Sequence, residues 1–240
     1  MQIGIMGNLI YDQFTNCFVD RVGTRLGSAG ILYRREVTTR VSCGMSVQRL
    51  DCVCVYCGSS SGLKASYAVA ARDLGLELAK RQISLVYGGG SVGLMGIIAE
   101  TVDSSGGCVT GVIPKSLAPE HISGKTPGRV ILTETMHERK MRMASRANAF
   151  IALPGGIGTL EELFEIATWR QLGHHRKPIG ILNVQNYFDP LLEFLDGAVA
   201  DGFVSSTTRS IFVVGTSASE LLNKLGCGLS SVAVPDLCSR

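Results

Sequence analysis

From Cys52 onward the chain repeats one pattern: a short, almost unbroken apolar run, a turn carrying glycine or proline, then a longer stretch at helical spacing. The apolar runs predict strands over 52–56, 83–87, 108–113, 130–133, 150–153, 178–182 and 211–214. Between them, apolar residues recur every three or four positions. Ala68, Ala71, Leu74 and Leu78 do so in a helix predicted over 64–81. Further helices are predicted from the turn at 88–96 to about 104, and over 136–147, 158–172, 190–201 and 219–225. Strands buried on both faces and separated by helices specify a doubly wound, mostly parallel α/β sheet, Rossmann-like, with helices on both faces. Ligands of such sheets bind at the carboxyl ends of the strands.

The 240 residues allow one domain with a full core. Residues 51–226 are expected to form it. Residues 1–50 show no clear period and read as a poorly ordered extension, and 227–240 as a tail. The net charge of +3 arises in the extension, whose six arginines face three acids. That bias suits an organelle transit peptide, but three acids oppose the reading. Beyond residue 50 the charges cancel, which argues against a nucleic-acid partner. No apolar run approaches the ~20 residues that span a bilayer, so no membrane partner is expected.

Eight cysteines include Cys54-Val-Tyr-Cys57, with no second pair at zinc spacing. In a strand these two side chains point to opposite faces, so they are expected as small buried groups in a reducing compartment, the cytosol, with the nucleus also open to the protein. The four histidines form no ligand pair, and no metal is expected. His174-His175 follows a helix end, where a solvated cation is the ordinary reading.

Two glycine turns carry the chemistry. Pro154 stops a strand, and Gly155, Gly156 and Gly158 leave amides free to converge at the start of a helix, the requirement for an anion site. That helix places Glu161 and Glu162 in its first turns. Thr159-x-x-Glu162 also fits a capping box. The second turn, Gly88-Gly89-Gly90-Ser91-Val92-Gly93, matches a dinucleotide fingerprint, but the acid expected at the end of the next strand is replaced by Ile113-Pro114-Lys115. A mononucleotide phosphate cradle suits it better than NAD. Gly124-Lys125-Thr126 lacks the earlier glycine of a P-loop. On the helix at 136–147, Arg139 shares the apolar face of Met136, Met143 and Ala147. An arginine there needs an anion, either the substrate, Glu162 or a structural carboxylate. Lys140 borders this face and is read either as a phosphate ligand or as a solvated lysine. Trp169 and Ile166 lie opposite Leu160, Leu163, Phe164 and Ala167, which favours a subunit interface over deep burial.

Tyr87–Gly96, Met136-His-Glu-Arg-Lys140 and Pro154-Gly-Gly-Ile-Gly-Thr-Leu-Glu-Glu162 together resemble the LONELY GUY family, the cytokinin riboside 5′-monophosphate phosphoribohydrolases, whose older label is "possible lysine decarboxylase". The resemblance covers about 52–225. It implies a Rossmann-like homodimer that hydrolyses the N-glycosidic bond of an N6-modified adenosine 5′-monophosphate, giving free cytokinin base and ribose 5-phosphate. It implies catalytic roles for Arg139 and Glu162. It implies substrate contacts for Gly156, Ile157, Gly158, Thr159, Leu160, Glu161, Lys140 and Thr168. His121 stands where the family usually has a substrate-contacting glutamate. Either Glu120 substitutes by a small loop shift, or nucleotide affinity or specificity has changed. Ile157 replaces a usual tyrosine, a change expected to be tolerated.

Glycosidic cleavage builds positive charge on the ribose, and a fixed carboxylate can stabilise it and orient water. Glu162 is expected to do this, with Arg139 holding it ionised and the glycine turns taking the 5′-phosphate. No cofactor is required. A decarboxylase would need pyridoxal phosphate and a Schiff-base lysine with an acidic partner for the ring nitrogen. A nucleotide-binding module without turnover is the non-enzymatic alternative.

Overall fold

The computed structural model describes residues 9–11, 18–20, 49–119 and 124–230, with the side chains of 228–230 left aside. The chain divides into two units, Met1–Gly44 and Met45–Arg240. In the first, β1 (Leu9–Tyr11) and β2 (Phe18–Asp20) pair antiparallel, a hairpin that the aperiodic sequence there does not announce.

The second unit carries the expected α/β alternation. Its elements are β3 (Cys52–Tyr56), α1 (Ala65–Lys80), β4 (Ser84–Tyr87), α2 (Gly93–Ser104), β5 (Val109–Pro114) and β6 (Arg129–Thr133). Then follow α3 (Met136–Arg146), β7 (Ala149–Ala152), α4 (Ile157–Gln171), β8 (Ile179–Leu182), α5 (Asp189–Ala200), α6 (Ser206–Arg209), β9 (Phe212–Gly215) and α7 (Ala218–Ser230). The short α6 has no period to betray it, and α7 continues past Leu225, where the apolar spacing ends.

The seven strands β3–β9 form one parallel sheet in the order β6-β5-β4-β3-β7-β8-β9. Alternate residues feed two cores. Val53 and Val55 pack with Leu74, Leu78, Ile98 and Leu221 on one face, and Cys54 and Tyr56 with Met143, Phe150, Leu163 and Ile166 on the other. Cys57 joins the first core and Cys54 the second, so the two thiols face apart as their spacing requires. Both are buried and free, and burial pushes both thiols well above their ordinary range.

From β3 the chain winds outward through β4, β5 and β6, then returns with β7 on the other side of β3. The direction of winding therefore reverses between β3 and β7. The crevice at their carboxyl ends is the switch point at which open α/β sheets bind ligands.

Candidate functional site

The turns that follow β3, β4 and β7 meet at this switch point, tied together by Gly58. Its amide donates to the Pro154 carbonyl at 3.0 Å, and its carbonyl accepts from the Leu94 and Met95 amides at 3.1 and 3.4 Å. Gly93 makes the approach possible. It sits at φ +60°, and a Cβ there would lie 2.3 Å from the Ser59 carbonyl carbon.

Thr159 caps no described amide; the side-chain cap near the site is Thr135, at the start of α3. The Thr135 hydroxyl accepts from the Glu138 amide at 3.1 Å, and the Glu138 carboxylate accepts from the Glu134 amide at 2.9 Å. Those bonds fix the start of α3 and so the place of Arg139. Its Nη1 donates to Glu162 Oε1 at 2.8 Å and lies 3.2 Å from the Met136 sulfur, while Nε donates to the Val112 carbonyl at 3.2 Å. Gly88 completes the seat: a Cβ there would fall 2.2 Å from Arg139 Nη2. Both side chains of the pair are only 12% exposed. Burial pushes the Glu162 carboxyl above its ordinary range, and the Arg139 guanidinium opposes that shift without reversing it. A carboxyl poised in this way, buried and beside a fixed cation, has the character of a reactive group.

Lys140 is neither solvated nor open. Its Nζ lies 2.7 Å from Glu161 Oε1 and 3.0 Å from Glu165 Oε1, and the side chain is 15% exposed. Burial opposes its charge, but the two carboxylates outweigh burial and raise its pKa. Glu165 is a partner that motif reading missed. The signal was there: Glu161 and Glu165 are i and i+4 on one helix and share a face.

At the start of α4 the cap is the Gly156 backbone, with no side-chain capping bond. The Thr159 and Leu160 amides donate to the Gly156 carbonyl, whereas the Gly156, Ile157 and Gly158 amides donate to no described residue. Thr159 is inside the helix and only 4% exposed. Its hydroxyl has no partner among the described residues and faces the turn, 2.1 Å from where a Gly155 Cβ would lie. A cavity of about 220 Å³ opens here, lined in part by Ser60, Tyr67, Gly155, Gly156 and Tyr187. The Gly88–Gly93 turn differs from this one. Two of the first amides of α2 are committed to Gly58, and the Gly89 carbonyl accepts from the Thr126 hydroxyl at 2.6 Å.

The remaining residues separate. Leu160 is half-buried against the second core, and Ile157 is exposed at the cavity end of α4. Thr168 lies near the far end of α4, its hydroxyl returned to the Phe164 carbonyl at 2.7 Å. Ile166 belongs to the core, which corrects its expected place beside Trp169 on an interface face. His175 is no solvated cation: burial lowers its pKa to about 4, with Nε2 on the Ile166 carbonyl and Nδ1 accepting from the Lys177 amide. Glu120 and His121 lie outside the described residues.

A family model described as "Possible lysine decarboxylase" matches residues 95–225. The cytokinin riboside 5′-monophosphate phosphoribohydrolase LOG1 of Arabidopsis thaliana is 57% identical over 173 residues, which are 72% of this chain and 81% of that protein. The enzyme of the same name, LOG, from Oryza sativa subsp. japonica is 55% identical over 173 residues, 72% of each chain. Among solved structures, the Moco carrier protein of Chlamydomonas reinhardtii superposes with a TM-score of 0.56 at 22% identity, covering 76% of this chain and 99% of that one. The molybdenum cofactor binding protein of Rippkaea orientalis gives 0.57 at 18% identity, over 75% and 97%. These two share the fold alone.

Proposed function

Since the chain belongs to the LONELY GUY family of cytokinin riboside 5′-monophosphate phosphoribohydrolases, we propose that it hydrolyses the N-glycosidic bond of an N6-modified adenosine 5′-monophosphate and so activates a cytokinin. The observation that carries this reading is the buried Arg139–Glu162 pair, five residues along α4 from Ile157, where the Gly156, Ile157 and Gly158 amides donate to no described residue. In the reaction the C1′–N9 bond breaks with its electrons leaving on the base, and positive charge develops across C1′ and the ring oxygen. Glu162 stabilises that charge and takes a proton from the water that adds to C1′. The proton passes on to the departing base. The products are the free base and ribose 5-phosphate.

Arg139 keeps Glu162 ionised and aimed. The 5′-phosphate is assigned to the Gly156, Ile157 and Gly158 amides and the Thr159 hydroxyl. The part of Gly88 is to admit the Arg139 guanidinium, and Gly89, Gly90, Ser91 and Gly93 build the turn that holds it. Leu160 supports α4 from beneath, and Lys140 with Glu161 flanks the pair. Ile157 and Thr168 are open to a substrate side chain or to a second copy of the chain. A homodimer in the cytosol fits the half-buried Trp169, and no helix among the described residues is long and apolar enough to cross a membrane. The decarboxylase reading is disfavoured by Lys140, since its two carboxylate partners hold the amine charged, whereas Schiff-base chemistry needs it neutral.

The test is incubation with N6-isopentenyladenosine 5′-monophosphate, following free base and ribose 5-phosphate, beside Glu162→Gln and the unphosphorylated riboside. Release of both products by the wild type alone, with the riboside nearly inert, supports the reading. Nucleotide binding without product release overturns it in favour of a binding module.

A further inference from the structure

We propose that Tyr187 is a positioning residue for the phosphate-binding turn: its hydroxyl, donating to the Gly155 carbonyl, sets the direction in which the Gly156 amide points. The proposal rests on the phosphate assignment made above, and it concerns a residue outside all the motifs.

The hydrogen bond is short, 2.6 Å from Tyr187 Oη to the Gly155 oxygen. A trans peptide is planar, with its C=O and N–H directed oppositely. Fixing the Gly155 carbonyl therefore fixes the Gly156 N–H, one of the three amides without an acceptor among the described residues. Gly155 and Gly156 have no side chains to hold their peptide. Without an outside contact that plane would be free to rotate. The alternative orientation would present a carbonyl oxygen to an anion.

The chain invests strain in delivering Tyr187. Gln185 and Asn186, neither of them glycine, both sit in the left-handed region, at φ +52° and +57°. Such residues persist only where their surroundings over-determine them. Asn183 supplies that constraint. It is 7% exposed, accepts from the Phe188 amide at 2.8 Å, donates to Asp189 at 2.6 Å, and its own amide donates to the Gly215 carbonyl. Phe188, 1% exposed, anchors the next position in the core. The Tyr187 ring meets the edges of Tyr67 and Phe188 at centroid distances of 5.6 and 5.1 Å. Asn183 and Phe188 hold the backbone on either side of Tyr187, which is itself 40% exposed. It lines the same cavity as Gly156 and Ser60.

The experiment uses the full chain and Tyr187→Phe, which keeps both ring contacts and removes only the hydroxyl. Three quantities are read: kinetics on N6-isopentenyladenosine 5′-monophosphate, kinetics on its riboside, and affinity for ribose 5-phosphate by calorimetry. Losing one hydrogen bond's worth of preorganisation should raise the nucleotide KM and the ribose 5-phosphate Kd by roughly three- to ten-fold, with kcat within about two-fold. Residual riboside turnover, which engages no phosphate contact, should fall less than the nucleotide kcat/KM does, so the nucleotide preference shrinks. A general loosening would instead lower the melting temperature and both activities together, and would overturn the proposal. So would an unchanged Kd for ribose 5-phosphate, or a wild type that does not bind it. If the wild type binds ribose 5-phosphate but hydrolyses no nucleotide, the enzymatic reading fails, while the binding comparison still decides the role of Tyr187.

Discussion

Replacing Arg139 by methionine tests the buried pair, because methionine keeps much of the volume and none of the charge. Arg139 and Glu162 are each 12% exposed and 2.8 Å apart, so the variant leaves a carboxylate with little water and no cation in contact. Removing one partner of such a pair costs about 3–5 kcal/mol, and the carboxyl escapes part of that cost by binding a proton. At about 1.4 kcal/mol per pH unit, a cost near 3 kcal/mol moves its titration up by about 2 units. The acid limb of kcat/KM should therefore rise by about 2 pH units, so that at any pH below the wild-type limb kcat/KM should be about 100-fold lower. The stability effect has a definite sign. Burial already holds the folded Glu162 carboxyl above its unfolded value. The folded state thus binds that proton more tightly, and the stability it confers is lost as pH rises through the folded pKa. Arg139→Met widens that window upward. The melting-temperature gap between wild type and variant should be small near pH 4 and grow towards pH 8. A pH–rate profile and thermal melts over that range read both effects. An unmoved acid limb, or a gap that stays constant with pH, would refute the reasoning.

Two glycine substitutions differ in what they disturb. Gly88→Ala sets a Cβ against the buried Arg139 guanidinium and 3.3 Å from the Met95 sulfur, so activity should fall steeply and the displaced pair should cost about 1–3 kcal/mol as well; Gly93→Ala meets the Ser59 backbone at a positive φ and should cost about 2 kcal/mol or more in urea denaturation. His175, with its pKa lowered to about 4, binds its proton more weakly folded than unfolded. Its contribution is complete above pH ~6.5 and is lost as pH falls towards 4, worth about 2 kcal/mol after allowance for partial exposure. Melts of wild type and His175→Asn that run parallel between pH 4 and 7 would contradict this. Lys140→Met should leave the ribose 5-phosphate Kd within about two-fold, since Glu161 and Glu165 occupy the amine; a loss beyond ~10-fold in calorimetry would place Lys140 on the phosphate.

The seven core strands were legible because each is an apolar run between breakers, and burial on both faces demands such runs. Arg139 was legible for a related reason: a charge on an apolar face stands out against its period. The order of strands is not written in any local pattern, so the switch point between β3 and β7 could not be read, nor the different surroundings of the two glycine turns. Thr159 illustrates a second limit. Its spacing to Glu162 satisfies a capping rule, yet the helix begins at Ile157 with the Gly156 backbone as cap, which frees the Glu162 carboxylate to reach Arg139. Tyr187 illustrates a third. It acts through a carbonyl 32 positions away in sequence, and a tyrosine beside a buried phenylalanine carries no signal of such a bond.

If the 5′-phosphate binds at the start of α4 as proposed, the charges around Glu162 account for a site made of backbone amides rather than a cation. Arg139 and Lys140 on α3 face Glu161, Glu162 and Glu165 on α4, so three carboxylates outnumber two cations. A reaction centre that must stabilise a developing ribosyl cation gains from that excess of negative charge. An unpaired lysine placed there to hold a phosphate dianion would oppose the same transition state at short range, since a charge in a site of low polarity is felt over several ångströms. Amides and a hydroxyl at the start of α4 avoid the conflict. Their partial charges act within the first helical turn and fade beyond it. Glu162 lies five residues beyond Ile157, about 7.5 Å along the helix axis, the span that one ribose would bridge under this assignment.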